Sequence, residues 1–370
     1  MVMMHAAPPN RGAPAGAHIS EETYMKSRAT AAIAVALTCG AVTAAAQAAG
    51  PPPPPKSPTG KTVTQVAIGG GLATPTSFAF GNGQVYEGDG GPETSQVPNG
   101  GVFVLKNGTG VKIANSPMFV SGLAFHGGAL YVAGGSVSGP TSATFTIQKW
   151  TGWDDTSNTF AKQSVVYTAP KAFQGFNGLA FGPDGRLYVG VDVGLLNNND
   201  HGPAKSPYVY SILSMKPNGK GLKVFATGMR QPWQMAFAPG SKNPLVSDLG
   251  QDKGAKKAPD FILKVHQGDD FGFPKCNWVK PKACKGYTKP FQTFKPHTDI
   301  MGMAIIGSKL YVTSFLGTTG KAGEVFSMPL SGGKLTPVLT GFVAPTVGLG
   351  ANGKTLYVGE LTGQVFSVTP

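Results

Sequence analysis

Six times along its length the chain repeats one hairpin. The copies are TSFAFGNGQVYEGDGG from Thr76, SGLAFHGGALYVAGG from Ser121 and NGLAFGPDGRLYVGVDVG from Asn177, then WQMAFAPGSKNPLVSDLG from Trp233, MGMAIIGSKLYVTSFLG from Met301 and TVGLGANGKTLYVGELTG from Thr346. Each is an apolar strand, a polar turn holding Gly, and a second strand that usually reads Leu-Tyr-Val. The starts lie 45, 56, 56, 68 and 45 residues apart. A β pattern with a period near 45–55 residues is the signature of propeller blades. The segments between copies, such as GGVFVLKNGTGVKIA, YVYSILSMKPNGKGLKVFATG and GEVFSMPLSGGKLTPVLTG, read as strand, turn, strand and supply the outer strands. After the last copy only GQVFSVTP remains, so that blade lacks a strand. KTVTQVAI from Lys61 is the candidate to complete it. The expected architecture is therefore an all-β, six-bladed β-propeller over residues 61–370, closed by pairing of its N- and C-terminal strands, which leaves no open sheet edge. Two β-sandwiches would not explain six matched hairpins. Composition agrees: 53 Gly, 31 Pro and only 13% charged residues suit short strands and tight turns.

The segment before the repeats is of another kind. From Met25 the chain reads MKSRATAAIAVALTCGAVTAAAQAAG: a basic start at Lys26 and Arg28, an apolar stretch, and Ala46-Gln47-Ala48 as a small-x-small cleavage site. Residues 1–49 are expected to be an upstream extension and a secretory signal peptide, with Met25 as the start. The apolar stretch is short and Ala-rich for a membrane span, so no membrane insertion is expected once it is removed. The Pro-rich residues 50–60 read as a stiff linker. The expected location is the periplasm or the outside of the cell. Export in turn favours a disulfide between Cys276 and Cys284 in CNWVKPKAC, since the third cysteine, Cys39, lies in the signal segment.

Net charge is +13, and ten lysines fall between Lys253 and Lys295. Such a run suits an anionic surface or a solvated insertion. Export argues against nucleic acid as the partner. A closed ring needs no second chain, so a monomer is expected.

Propeller geometry sorts the polar residues. Hairpin turns such as GPDG lie on one face; residues before first strands and after second strands lie on the other, with the long connections. Loop-rich faces carry function. His126, in a hairpin turn, is thereby demoted. The loop face gathers Gln174, Asn177, Arg230, Gln231, Trp233, His297 and Asp299, together with Asp192, LLNNNDHG from Leu195, SDLGQD from Ser247 and Glu360. Asp and Asn oxygens near a channel suit calcium. An Arg fork suits a carboxylate, and His297 is a candidate acid or base. The same Asp and Asn residues also serve as ordinary turn formers.

The order ATGMRQPWQMAF from Ala226, then SDLGQD, PDFILKVHQGDDFGFPKC and HTDIMGMAI resembles the glucose/sorbosone dehydrogenase family, over most of residues 120–330. That resemblance implies an exported six-bladed propeller oxidising an aldose or related sugar alcohol with pyrroloquinoline quinone and calcium, and passing electrons to an acceptor. It implies Arg230, with Gln231 and Trp233 beside it, as cofactor contacts; Asp248 and Asp252 as calcium-binding; and His297 as a site histidine. Three positions depart from the family pattern. Gln174 stands where the family places its general-base histidine, Leu316 where it places a lysine, and Gln231 where it places an asparagine. Glutamine cannot accept the proton; His201, in the next loop, is the candidate replacement. A second resemblance competes. Asn177-Gly178-Leu179 is similar to the metal-binding stretch of gluconolactonase-type propellers, which implies a metal-dependent lactone hydrolase with Asn177 and Asp248 as ligands. A non-catalytic carbohydrate-binding propeller is the third reading.

Overall fold

A computed structural model describes residues 52–92, 98–139, 142–170, 175–191, 208–251, 258–317, 320 and 322–370. They form six four-stranded antiparallel sheets. Blade 1 holds β2 (Pro75–Gly81), β3 (Gln84–Asp89), β4 (Gly101–Lys106) and β5 (Thr109–Lys112); blade 2 holds β6 (Phe119–His126), β7 (Ala129–Gly139), β8 (Ser142–Asp154) and β9 (Thr159–Thr168). Blade 3 holds β10 (Phe176–Phe181), β11 (Leu187–Val191), β12 (Ser211–Met215) and β13 (Lys223–Thr227); blade 4 holds β14 (Pro232–Phe237), β15 (Pro244–Asp248), β16 (Phe261–Lys264) and β17 (Gln292–Thr293). Blade 5 holds β18 (Ile300–Ile306), β19 (Lys309–Ser314), β20 (Glu324–Pro329) and β21 (Thr336–Leu339). Blade 6 takes β22 (Thr346–Asn352), β23 (Thr355–Glu360) and β24 (Val365–Val368) from the C-terminal end, and β1 (Val63–Ala67) as its outer strand. The expected closure is thus present: Val63 pairs with Val368 and Ala67 with Val365. The seam continues upstream, where Lys56 exchanges two backbone hydrogen bonds with Thr340 of blade 5. The signal-like segment from Met25 lies outside the described residues.

The recurring Leu-Tyr-Val now has a cause. Strand side chains alternate between faces, and in a propeller each face looks at a different neighbouring blade. Leu130 and Val132 pack back against blade 1, while Tyr131 packs forward against blade 3. Leu187 and Val189 face blade 2, and Tyr188 faces blade 4, its ring meeting Phe225 of its own blade and Phe237 of blade 4 edge-on at 5.1 Å. Aromatic pairs of this kind contribute about 0.5–1.5 kcal/mol each beyond their buried area. Leu310, Tyr311 and Val312, then Leu356, Tyr357 and Val358, repeat the scheme. Each of the six gaps between blades is filled by its own apolar cluster.

Turn chemistry sets the hairpins. Asn82 and Gly83 both have positive φ, 53° and 73°, the type I′ turn whose twist matches two-residue hairpins. In the GPDG turn Asp184 accepts the Arg186 N–H and the Tyr188 hydroxyl, so this loop serves architecture. At their other end all six inner strands slip register by a bulge. There the blades approach most closely. Gly178, at φ +57°, leaves no room for a side chain: a Cβ would lie 2.7 Å from the Trp233 carbonyl oxygen.

Candidate functional site

The loop face is organised by carboxylates that end second strands. Asp248, opposite Pro232 in the ladder, accepts the Gln231 N–H at 2.7 Å and the Arg230 N–H at 3.3 Å. Blade 1 does the same: Asp89 accepts the N–H groups of Ala73, Thr74 and Gly91 at 2.8, 2.9 and 2.6 Å. In blade 6 Glu360 accepts the Val343 N–H at 3.3 Å, along with Thr362 and Gln364 at 2.7 Å. Blade 5 reverses the polarity, its Ser314 hydroxyl donating to the Thr298 carbonyl at 2.6 Å. These residues occupy one ladder position and pin the chain entering each blade. Burial lifts Asp248 to about 7, against the opposing pull of its backbone hydrogen bonds and of Arg230. It therefore exchanges a proton near neutrality.

Arg230 is 2% exposed. Its guanidinium donates to the Gly250 carbonyl and, at 3.2 Å, to the Gln231 side chain. The Gly250 N–H donates to Asp260 at 2.7 Å, and the other oxygen of Asp260 accepts the Asp299 N–H at 2.8 Å. Arg230, Gly250, Asp260 and Asp299 thus tie the acidic loop of blade 4 to the start of blade 5. Beside them, Gln251 accepts from Asn277 at 3.1 Å, and the Trp278 indole donates to the Phe271 carbonyl at 2.9 Å. The cleft between these groups and Asp248 offers about 20 Å³ to water, room for about one molecule. The expected disulfide is present, Cys276 to Cys284, with Cα atoms 5.4 Å apart.

The sequence-derived site residues separate. Arg230, Gln231 and Asp248 stand together and bond to one another. Trp233 is half-buried in a neighbouring apolar arc with Leu249, which also lines the cleft, and with Met301, Phe315 and Val347, joined by Leu316 and Leu361. Leu316, which the resemblance aligns with a lysine, makes an apolar contact there. Asn177 is buried at the bulge of β10. His297 is exposed, in left-handed backbone at φ 59° where the chain enters blade 5. Gln174, Asp192, His201 and Asp252 lie outside the described residues. His126 stacks on Phe181 at 4.1 Å, in keeping with an architectural role.

Two features escaped sequence reasoning. Gln234 occupies the bulge position held elsewhere by Gly122, Gly178, Gly302 and Gly348. Its side chain accepts from Met303 N at 2.7 Å and donates to Leu349 O at 3.3 Å, bonding blade 4 to blades 5 and 6. The aligned hairpins would have revealed it as the one long side chain in a column of small residues. Glu87 is the second. It replaces the valine of Leu-Tyr-Val and is wholly buried, and neither carboxyl oxygen has a hydrogen-bond partner.

The described residues hold only part of the cofactor site that the resemblance implies, since Gln174, His201 and Asp252 lie outside them. Asp248 already holds two backbone N–H groups, and Nη1 of Arg230 bonds to Gly250 and Gln231. Among the described residues no three His, Cys, Asp or Glu side chains converge on one point.

Fold and site together define a closed six-bladed propeller with a buried Arg–Asp cluster on its loop face. No known family profile matches the chain, and no curated sequence does. Solved structures do. A glucose dehydrogenase superposes with a TM-score of 0.66 at 16% identity, covering 84% of this chain and 99% of its own. The PQQ-bound aldose sugar dehydrogenase of Streptomyces coelicolor gives 0.62 at 18%, covering 85% and 99%. The soluble aldose sugar dehydrogenase of Escherichia coli, in its apo form, gives 0.64 at 16%, covering 84% and 99%. The fold is that of the sugar dehydrogenase propellers.

Proposed function

We propose that this protein is an exported, monomeric carbohydrate-binding propeller built on the sugar dehydrogenase fold, with its binding face on the loop side around Arg230 and Trp233. The observation that carries the reading is the state of Arg230. One guanidinium nitrogen, Nη1, holds the Gly250 carbonyl and the Gln231 side chain, so Arg230 positions the loop face from within the blade. A half-buried Trp233 suits the apolar face of a sugar ring. Sugar binding at this face needs no oxidation step. Aldose oxidation with pyrroloquinoline quinone and calcium, and metal-dependent lactone hydrolysis through Asn177 and Asp248, are the competing activities. Against the second, Asp248 is already engaged by the backbone. Export is supported by the segment from Met25 and by the disulfide. No helix among the described residues is long and apolar enough to cross a membrane.

The test is a titration of purified protein with a panel of aldoses and lactones, with and without calcium and the quinone. Binding without turnover is expected, and it should weaken in Trp233→Ala. Dye reduction by a sugar that Arg230→Ala abolishes would restore the dehydrogenase. Lactone hydrolysis that a chelator abolishes would restore the hydrolase.

A further inference from the structure

The chain between β16 and β17 makes a long excursion outside blade 4, and beyond Asp269 and Asp270 at its base the charge, on past β17, is one-sided. From Phe271 to Thr298 there is no Asp or Glu, whereas Lys275, Lys280, Lys282, Lys285, Lys289 and Lys295 all lie there. All six are exposed. Among the described residues the close ion pairs are Lys106–Asp155 and His266–Asp269, so none of the six is paired with a described carboxylate.

The segment that carries these lysines is held in one shape. Cys276–Cys284 closes its tip around a short 3₁₀ turn, Pro281–Cys284. At its base, Thr227 N donates to Asp269 O at 2.9 Å, Phe271 N to Thr227 O at 3.0 Å and Phe273 N to Gly228 O at 3.0 Å. Thr288 N returns to Asp270 O at 2.7 Å. The lysine-bearing knuckle is therefore fixed to the end of blade 3, two residues before Arg230, and flanks the loop face. Like charges gathered without counterions repel one another and lower stability. Their arrangement on a pinned segment is explained by an anionic partner, met at reduced ordering cost.

We propose that this knuckle docks an acidic polysaccharide, a chain of carboxylate- or sulfate-bearing sugars, and delivers it to the loop face. The inference rests on the carbohydrate reading above. The chemistry of the surface favours this polyanion. The cations are all lysines, point charges suited to spaced single anions, with no arginine fork for phosphate. None of the exposed large apolar residues (Ile68, Val165, Val224 and Val343) lies in the knuckle, so nothing is offered to a bilayer interior.

The experiment compares full-length mature protein with two triple variants on immobilised polygalacturonate and on neutral dextran. Lys280→Gln/Lys282→Gln/Lys285→Gln removes charge from the knuckle. Lys309→Gln/Lys334→Gln/Lys354→Gln removes it from exposed positions on blades 5 and 6. Wild type should bind polygalacturonate much more tightly than dextran, and the affinity for polygalacturonate should fall steeply as salt rises. The knuckle triple should bind about tenfold or more weakly at low salt, with a shallower salt slope, since the released counterions scale with the contacts made. The blade 5 and 6 triple should bind like wild type. Equal loss in both triples would overturn the proposal, as would equal binding to duplex DNA or phosphatidylglycerol vesicles, or no binding to polygalacturonate. Neutral-sugar binding sensitive to Trp233→Ala would survive such a failure. Polygalacturonate binding that persists without any neutral-sugar site would instead sink the loop-face reading alone.

Discussion

Replacing Glu87 by valine should stabilise this protein. Glu87 faces the gap between blades 6 and 1. In the ladder it pairs with Phe78 and Phe103, and both rings belong to the apolar cluster that fills that gap with Ala67, Leu72 and Val365. The corresponding residues of the other blades are Val132, Val189, Val246, Val312 and Val358. A buried polar group left without partners costs about 1–3 kcal/mol. Proton linkage adds to this. Desolvation first, and the nearby charge of Asp89 second, raise the Glu87 carboxyl well above its ordinary 4.5. The folded protein therefore keeps the proton while the unfolded chain releases it. Stability from this group is complete below 4.5 and is lost as pH climbs toward the folded value, at about 1.4 kcal/mol per pH unit. Glu87→Val should exceed wild type by about 1–3 kcal/mol at about pH 5, and the gap should widen as pH rises. Each kcal/mol corresponds to roughly 2–4 °C in Tm for a domain of this order of size. Thermal melts at several pH values, with Glu87→Gln beside Glu87→Val, separate the two contributions. Gln removes the proton linkage but keeps an unpartnered polar group, so its advantage should appear only at higher pH. A Glu87→Val protein that melts at or below wild type at neutral pH, or a gap constant with pH, would refute the reasoning.

Two further outcomes follow from the loop face. Asp248→Asn should be less stable than wild type in acid, because one of its two backbone N–H partners loses its acceptor. The deficit should shrink as pH rises from 3.8 to about 7, since wild type loses its proton-linked stability over that window; a deficit that stays flat across that window in melts would contradict the assignment. Gln234→Gly should lower stability by about 1–3 kcal/mol by removing two hydrogen bonds between blades, read from denaturant midpoints at unchanged m. No loss would mean that Gln234 does not brace the ring.

How much of this could be read from residues alone varies by feature. The hairpin was legible because each copy must present Leu and Val to one neighbour and Tyr to the next, and a local alternation imposed by two packed faces repeats in the sequence. Closure was legible because one blade was a strand short. The Cys276–Cys284 pair was legible from its place after a signal-like segment. Site chemistry was less so. Asp248 reads as a candidate ion ligand in a row of Asp and Asn, yet its oxygens hold the backbone entering β14, as those of Asp89 do in blade 1. A carboxylate that binds a cation and one that caps a loop have the same letters around them. Trp233 and Arg230 are near neighbours in the chain, but the bulge of β14 sends one to an apolar arc and the other into the blade.

What the sequence determined by itself was periodic: six blades, the order of strands, and a lysine run without acids. Those properties depend on composition and spacing along one strand or loop. What only the tertiary structure decided was the use of each polar group. Whether Arg230 meets a ligand or the Gly250 carbonyl, and whether the Glu87 carboxyl finds a partner, depends on atoms brought together from different strands and from neighbouring blades, and burial sets how much each contact matters.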